Sequence, residues 1–312
     1  MEKKVFSIIT PSFNQGQFIP HTIESILTQE GDFYIDYIVM DGGSTDGLVD
    51  EVKKYEKLLK DNCDREIIDG VEYYVRRDPD FKFNRCLGIS YRWWSKPDKG
   101  QSDAINQGFS LAQGDYATWL NSDDFFYPGT LQVVAETFAG KHADVVVGNA
   151  TALNGKGEPI WEQLTGKPTL CSLLFRGMGP PQPSTFFTIE LFRRAGGVNE
   201  ELHYTMDGDL WIKLCFLGAK FVKIERNLSA QTYHEDSKSM QGEEMFAKFK
   251  PENDRLRAYY RSQLTLEQYW WCQLKRLFPS TRREWVRAVG SWIPKPLKDI
   301  LNKIIARITH RV

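Results

Sequence analysis

Cysteine is scarce and scattered in this chain of 312 residues. There are five cysteines, none of them in a C-x-x-C pair. They stand at Cys63, Cys86, Cys171, Cys215 and Cys272. Structural zinc sites and disulfide-stapled folds need closely spaced or evenly numbered cysteines. We therefore expect reduced cysteines in a reducing compartment, with neither a zinc site nor a disulfide framework.

Long apolar runs are also missing. No run approaches the ~20 apolar residues that a membrane-spanning helix needs. The first residues, Met1 to Val5, lead directly into a strand-like segment without the apolar stretch of a signal peptide. Neither internal repeats nor low-complexity segments occur. These absences predict a cytoplasmic protein. Any membrane contact is expected to be peripheral, on the inner face of the cytoplasmic membrane.

Net charge is almost absent, at a formal value of −1, but it is unevenly distributed. Between residues 271 and 312, ten Lys or Arg residues stand against two acidic ones. This tail contains an apolar stripe at helical spacing, formed by Leu297, Ile300, Leu301, Ile304, Ile305 and Ile308. A basic amphipathic helix suits an anionic membrane surface. The alternative is a helix packed on the protein or on a second subunit of a homodimer; no nucleic-acid partner is expected.

What is present is a core-forming composition, 41% hydrophobic, with alternating strand and helix periodicities. Strands are predicted over residues 5–10, 34–40, 89–94, 116–120 and 145–147, and helices over 18–29, 47–60 and 101–112. This order predicts an α/β fold with a mostly parallel central sheet and helices on both faces. The polar segment 61–86 is expected to be an irregular insertion, and the chain beyond Met240 to be mainly helical.

Polar segments follow four of the predicted strands. They are residues 11–14, 41–46, 96–101 and 121–124. Because ligands bind beyond the carboxyl ends of parallel strands, we expect these segments to share one crevice. No G-x-G-x-x-G follows the first strand, which disfavours a dinucleotide site. Asp123 and Asp124 are adjacent carboxylates at the end of a buried strand, and such charges need a positive partner, for example a divalent metal with phosphate.

Four motifs carry a family resemblance: T-P-S-F-N, D-G-G-S-T-D, P-D-K-G-Q-S-D-A-I-N-Q-G and W-L-N-S-D-D. In this order and spacing, they resemble the family 2 glycosyltransferases over residues 4–240. The resemblance implies a GT-A type fold over residues 1–240, with a nucleotide-binding half (1–125), an acceptor half (126–240) and a helical C-terminal extension (241–312). It implies inverting, metal-dependent transfer from a nucleoside-diphosphate sugar, with UDP-sugar favoured. The implied acceptor is a hydroxyl group of a glycan or lipid-linked saccharide of the surface-polysaccharide type.

The resemblance also implies a set of donor-binding residues. These are Thr10, Pro11, Ser12, Asn14, Asp41, Lys99, Gln101, Asp123 and Lys238. Asp41 resembles the family's nucleotide-binding acid, since a carboxylate can accept from a base N–H or a ribose hydroxyl. Asp41 and Asp46 could instead cap a turn and a helix, and the loop of Lys99 and Gln101 could simply be solvated. Gly42 departs from the family pattern, which commonly has a second Asp there.

Asp124 resembles the direct metal ligand of the family's D-x-D-type motif, with Asp123 as an auxiliary to the ribose or to a metal-bound water. His234 resembles the late histidine that completes the metal site, a role that a neutral imidazole can fill. The implied cofactor is Mn²⁺ or Mg²⁺, a Lewis acid for the departing diphosphate. Alternatively, Asp123 and Asp124 only cap the turn at Pro128, and His234 has a structural role.

Asp207 resembles the catalytic base of the family's E-D motif, with Met206 in place of the usual Glu. A single carboxylate would take the proton from the acceptor hydroxyl. The rival base is Asp209, which more readily begins a helix over residues 209–217. Two other functions remain open. A sugar nucleotidyltransferase would need a Gly-rich basic loop after the first strand, and a non-catalytic nucleotide-sugar-binding module would need no base at position 207.

Overall fold

A computed structural model of the chain describes residues 4–177, 179–234 and 242–277. In this part the strands are β1 (Lys4–Ser12), β2 (Glu30–Asp41), β3 (Cys63–Ile68), β4 (Val71–Arg76), β5 (Arg85–Ser95), β6 (Tyr116–Trp119), β7 (Phe125–Phe126), β8 (Val145–Asn154), β9 (Pro159–Gln163), β10 (Thr185–Thr188) and β11 (Phe221–Tyr233). The helices are α1 (Ile19–Leu27), α2 (Leu48–Asn62), α3 (Gln101–Leu111), α4 (Thr130–Lys141), α5 (Leu170–Arg176), α6 (Ile189–Arg194), α7 (Met206–Phe216), α8 (Gly242–Ser262) and α9 (Leu266–Leu277). The predicted apolar stripe over residues 297–308 lies outside the described residues.

The described strands form one mixed sheet in the order β3-β4-β5-β2-β1-β6-β10-β8-β11-β7, with β9 paired to β8. Its centre, β5-β2-β1-β6, is parallel. This is the arrangement that alternating strands and helices predict, because parallel neighbours need crossover connections. β10 runs antiparallel between β6 and β8, so the parallel order does not continue across the whole sheet.

The two faces of the sheet bury two separate hydrophobic clusters. In β1, Phe6 and Ile8 pack in one cluster with residues of α1, α2 and α4, whereas Ile9 packs in the other with residues of α3, α6 and α7. Successive side chains of a strand point to opposite faces, so a strand covered by helices on both sides is mainly apolar. The predicted α/β fold with helices on both faces is confirmed.

The expectation of an irregular insertion over residues 61–86 is wrong. β3 and β4 form an antiparallel hairpin, and Tyr74 of β4 pairs with Ile89 of β5, which extends the sheet at one edge. Asp69 and Gly70 make the turn, with positive φ angles of 52° and 82°. An Asp-Gly pair between β-forming residues is a strong hairpin signal, and the polar residues around it obscured this signal.

The expectation of reduced cysteines without a disulfide is also wrong. Cys171 of α5 and Cys272 of α9 form a disulfide whose Cα atoms are 4.9 Å apart. Their separation of 101 residues along the chain gave no local sign of the pair. The bond depends on α9 packing against α5, and periodicity alone does not predict such packing between distant segments.

The C-terminal helices pack onto the sheet domain. Leu256 and Tyr260 of α8 are buried in the same hydrophobic cluster as residues of α3 and α7. The predicted helical character beyond Met240 is confirmed over residues 242–277. Within the described part of the chain, no helix combines the length and apolarity needed to cross a membrane.

Candidate active site

A cleft of about 950 Å³ opens at the carboxyl ends of the central strands. Residues from all four predicted strand-end segments line it, together with residues from the start of α7, the end of β11 and α8. The strand register explains the convergence, because Ser12 lies opposite Asp41 and Asp41 opposite Ser95. The predicted crevice is therefore present.

Asp124 lies on the floor of this cleft with only 4% of its surface exposed. Its Oδ1 accepts a hydrogen bond from the backbone N–H of Thr232 at 3.2 Å, and its Oδ2 accepts from the side-chain amide of Asn121 at 3.3 Å. Burial, together with the neighbouring Asp123 carboxylate, raises the pKa of Asp124 well above its usual range. Because both donors are uncharged, a bound cation would stabilise the ionised form.

Asp123 meets His234 at the edge of the cleft. Its Oδ2 is 3.2 Å from Nε2 of the histidine, and the buried imidazole stacks on Phe18 with ring centroids 4.2 Å apart. Burial raises the pKa of Asp123, and the contact with His234 opposes this rise. The fold thus brings the predicted late histidine to the acid pair across 111 residues. Lys238, the predicted phosphate contact, lies outside the described residues.

The acids and the imidazole do not make a complete metal cage. Among the described residues, no group of three or more His, Cys, Asp or Glu side chains is arranged to hold a metal ion. A divalent cation on Asp124 would therefore take further ligands from water and from substrate phosphates, as Mg²⁺ commonly does in nucleotide sites. The buried carboxylate with uncharged hydrogen-bond donors fits such a cation.

A polar network joins the acid pair to the neighbouring strand ends. Gln101, at the start of α3, donates to Oδ1 of Asn121 at 2.7 Å, and the Asn121 amide in turn reaches Asp124. Ser12 donates to the hydroxyl of Ser122 at 2.9 Å. Pro11, Ser12 and Gln101 line the cleft as predicted. Asn121 thus links the start of α3 to the carboxylate of Asp124.

Asp41 is buried at the end of β2, but it is not among the described residues that line the cleft. Its carboxylate accepts from the backbone N–H of Ser44 at 3.1 Å and from the hydroxyl of Ser95 at 2.6 Å. These bonds agree with the turn-capping interpretation. The neighbouring backbone at Gly42 and Gly43 does face the cleft.

Three other predicted donor contacts lie away from the described lining of the cleft. Thr10 is fully buried in the sheet and accepts from the hydroxyl of Tyr37 at 3.1 Å. Asn14 accepts from the backbone N–H of Thr45 at 3.0 Å and so ties two strand-end segments together. Lys99 is exposed on the loop before α3. Thr10 and Asn14 thus have clear structural roles in forming the walls.

Sequence reasoning missed Asp98, which lines the cleft beside Gly42. A Cβ atom added at Gly42 would lie 2.9 Å from Oδ2 of Asp98 and 3.2 Å from Cδ2 of Phe13. The other carboxylate oxygen of Asp98 accepts from the backbone N–H of Gly100 at 2.8 Å. The Asp98 carboxylate therefore occupies space that a side chain at position 42 would need. The departure of Gly42 from the family pattern was the signal that could have revealed it.

Asp207 is half-buried and lines the same cleft, in the first turn of α7. Its Oδ1 accepts from the backbone N–H of Gly208 at 2.7 Å, and burial raises the pKa of its carboxyl group. α7 begins at Met206, so Asp207 and Asp209 both belong to its first turn. Asp209 is buried instead against Tyr260 and Lys213, at 2.7 Å from each. Of the two rivals, Asp207 is the acid that faces the cleft.

Three aromatic side chains also line the cleft. Tyr204, Tyr233 and Phe249 come from three different elements or loops. Phe249 belongs to α8, in the predicted C-terminal extension. No local pattern in the sequence linked α8 to the site, since the contact depends on how α8 packs against α7.

Comparison with known proteins identifies a family and several relatives. The family model described as Glycosyl transferase family 2 matches residues 7–77 and 80–196. A PGL/p-HBAD biosynthesis glycosyltransferase of Mycobacterium bovis (strain BCG / Pasteur 1173P2) is 26% identical over 242 residues, which cover 75% of this chain and 78% of the relative. An uncharacterized glycosyltransferase of Mycobacterium tuberculosis (strain CDC 1551 / Oshkosh) is 27% identical over 221 residues, which cover 66% and 67%.

Solved structures share the fold. Residues 1–349 of S. aureus TarS in complex with UDP superpose with a TM-score of 0.57 at 20% identity, covering 84% of this chain and 67% of that one. The mannosyltransferase PcManGT from Pyrobaculum calidifontis, in complex with GDP-Man and Mn²⁺, gives a TM-score of 0.54 at 15% identity, covering 99% and 87%. At these identities the likeness extends to the fold alone, and it agrees with the GT-A type architecture predicted from the sequence.

Proposed function

The chain belongs to glycosyl transferase family 2, and from that premise we propose that it transfers a sugar from a nucleoside-diphosphate sugar to a hydroxyl group of a saccharide acceptor. One observation carries the proposal. The acid pair Asp123 and Asp124 and the half-buried Asp207 line the same cleft. The pair would lie towards the departing diphosphate and Asp207 towards the attacking hydroxyl. Together they would supply a cation site for the departing diphosphate and a base for the attacking hydroxyl.

For the metal site, we propose Asp124 as the direct ligand of Mn²⁺ or Mg²⁺, with His234 and Asp123 beside it. Support comes from the burial of Asp124, its raised pKa and its uncharged hydrogen-bond donors. A cation held there would supply Lewis-acid stabilisation of the diphosphate charge. Among proteins of similar fold, PcManGT has been solved with Mn²⁺.

For the chemical step, we propose Asp207 as the general base. Its carboxylate would take the proton of the acceptor hydroxyl as that oxygen attacks the anomeric carbon, on the face opposite the departing diphosphate, which inverts the configuration. Burial raises the pKa of Asp207, so its carboxylate is a stronger base than that of an exposed Asp. No second protein acid would be needed, because a cation held by Asp124 would neutralise the charge of the leaving diphosphate.

For the donor, we favour a UDP-sugar. TarS has been solved with UDP and with UDP-GlcNAc, and PcManGT with GDP-Man, so both nucleotides suit this fold. We propose that the nucleoside lies beside Gly42, Gly43 and Asp98, with Asp123 near the ribose. Donor-binding roles for Ser12 and Gln101 are supported by their position in the cleft wall.

For the acceptor, we propose a lipid-linked saccharide of the surface-polysaccharide type, reached at the inner face of the cytoplasmic membrane. The name of the M. bovis relative refers to PGL/p-HBAD biosynthesis. α9, which precedes the basic tail, exposes large apolar side chains: Leu266, Trp270, Trp271 and Leu274. Flotation with anionic and neutral vesicles tests this proposal. Binding to neither, with a dimer in light scattering, would favour the second-subunit alternative.

A thermal-shift screen of nucleoside diphosphates, with and without Mn²⁺, tests the donor site. A ligand at 100 times its Kd stabilises the folded state by about 2.7 kcal/mol, so the correct nucleotide should raise the Tm clearly, and more so with Mn²⁺. Release of nucleotide from the matching sugar donor then measures transfer to water or to an added saccharide. The absence of a Mn²⁺-dependent shift with every nucleotide would contradict the donor site. Binding without any release would leave a nucleotide-sugar-binding module.

A further inference from the structure

Helix α8 contributes a buried carboxylate next to the active cleft. Glu252 lies one turn after the cleft residue Phe249, and only 8% of its surface is exposed. Buried carboxylates need compensating donors, because desolvation strongly penalises their charge. Its donors therefore reveal what the residue is positioned to hold.

Within the described part of the chain, the hydrogen bonds of its side chain go to the segment that leads into α7. Oε1 of Glu252 accepts from the backbone N–H groups of Tyr204 and Thr205 and from the Thr205 hydroxyl, each at 2.8 Å, and Oε2 accepts from the backbone N–H of His203 at 3.1 Å. Burial by itself would raise the pKa of Glu252, but these bonds outweigh it and lower the pKa. The carboxylate is thus ionised and fully engaged.

These bonds hold the residues that immediately precede α7. Thr205 is the N-cap residue of α7, yet its side chain makes no capping bond within the helix; its hydroxyl bonds to Glu252 instead. The backbone N–H of an N-cap residue has no intrahelical acceptor and needs an outside partner. Glu252, 47 positions later in the chain, accepts from this N–H and from those of the two residues before it. Asp207 follows Thr205 by two residues, so its location depends on the same contacts.

We propose that Glu252 is a positioning residue for sugar transfer: by holding residues 203–205 it sets where Asp207 meets the acceptor hydroxyl. This inference rests on the proposed role of Asp207 as the base. The competing explanation is that Glu252 only attaches α8 to the domain. The chain contains a matched control for that explanation, because the Tyr260 hydroxyl bonds to Asp209 of α7 at 2.7 Å, linking the same two helices without touching residues 203–205.

The experiment compares Glu252→Gln and Glu252→Ala with Tyr260→Phe and with Asp254→Asn, an exposed charge change on the same helix. Amide hydrogen exchange is measured over residues 201–209. Nucleotide release from the sugar donor that matches the nucleotide found in the screen gives kcat and KM. We expect exchange of residues 203–209 to rise about tenfold in both Glu252 variants. Their kcat should fall about 10- to 100-fold, since small displacements of a catalytic group have effects of this size. The KM for the donor and the UDP–Mn²⁺ thermal shift should change less than about twofold.

The two controls decide the interpretation. Tyr260→Phe and Asp254→Asn should keep kcat within about twofold of the wild type, whatever their Tm. An equal loss of kcat in Tyr260→Phe, or unchanged exchange over residues 203–209 in the Glu252 variants, would overturn the positioning role. If the Ala variant does not fold, the Gln variant carries the test, because it keeps the size and one acceptor oxygen. A wild-type enzyme that binds no nucleotide and releases none would instead refute the proposed function itself.

Discussion

Two parts of the cleft lining are built differently. The donor side consists of short segments that directly follow β1, β2, β5 and β6, whose positions are fixed by the register of the parallel sheet. The base side consists of the start of α7 and of α8, a helix from the C-terminal region. Side-chain hydrogen bonds of Glu252 and Tyr260 in α8 join it to residues 203–205 and to Asp209.

This difference separates two kinds of functional defect. Substitutions on the donor side should weaken nucleotide or metal binding. The segments there directly follow the central strands, so only the local contact is lost. Substitutions on the base side should reduce turnover while binding persists. Each prediction below would sharpen this division or break it.

The largest effect is expected for Asp207→Asn. General base catalysis contributes about 10²- to 10⁴-fold, so kcat should fall by roughly 1000-fold, while the Mn²⁺-dependent thermal shift with nucleotide is retained. Asp209→Asn is the matched control, and it should lower stability more than turnover because Asp209 is buried against Tyr260 and Lys213. Wild-type turnover in Asp207→Asn would place the base elsewhere.

Asp124→Asn should have the next largest effect, on binding. Loss of this buried carboxylate removes the proposed cation ligand, so the Mn²⁺-dependent part of the nucleotide shift should disappear and metal affinity should fall at least about 100-fold. Titration calorimetry with Mn²⁺ and nucleotide measures the metal affinity. Asp46→Asn serves as the control, since Asp46 accepts from the backbone N–H of Gly16 at 2.6 Å and caps a loop. Equal losses in both variants would contradict a specific metal role for Asp124.

Gly42→Ala should weaken donor binding about tenfold, which corresponds to about 1.4 kcal/mol. The new Cβ would lie 2.9 Å from Oδ2 of Asp98 and force that carboxylate away from the cleft wall. At saturating donor, kcat should stay near the wild-type value because Asp207 belongs to the base side of the cleft. Gly140→Ala in α4, where an added Cβ meets nothing within 4 Å, is the control. Unchanged donor affinity in Gly42→Ala would exclude Asp98 from nucleotide binding.

The smallest functional effect is expected from reducing the Cys171–Cys272 disulfide. A cross-link of this kind typically stabilises a protein by about 2–4 kcal/mol, so a reductant should lower the free energy of unfolding by that amount. Nucleotide binding should persist, since neither cysteine is among the described residues that line the cleft. Denaturant titrations with and without reductant measure the change, and Cys215→Ser is the control. Peptide mapping that finds both thiols free would refute the bond.

Much of the donor side could be predicted from sequence because its signals are local. Alternating periodicities located the central strands, and the polar segments after them converge as predicted. The hairpin around Asp69 and Gly70 was missed although its turn signal was present. Asp98 was missed because its significance depends on the space left by Gly42, a residue on another loop.

By itself the sequence determined the alternating α/β order, the strand-end location of Asp123 and Asp124, and the family resemblance on which the proposed function rests. Only the tertiary structure decided that His234 reaches Asp123, that Asp207 rather than Asp209 faces the cleft, and that Glu252 of α8 holds the segment that leads into α7. The physical reason is that periodicity and short motifs report which residues of one segment are buried or turn. Contacts between segments tens of residues apart are selected by packing, and no local pattern encodes them.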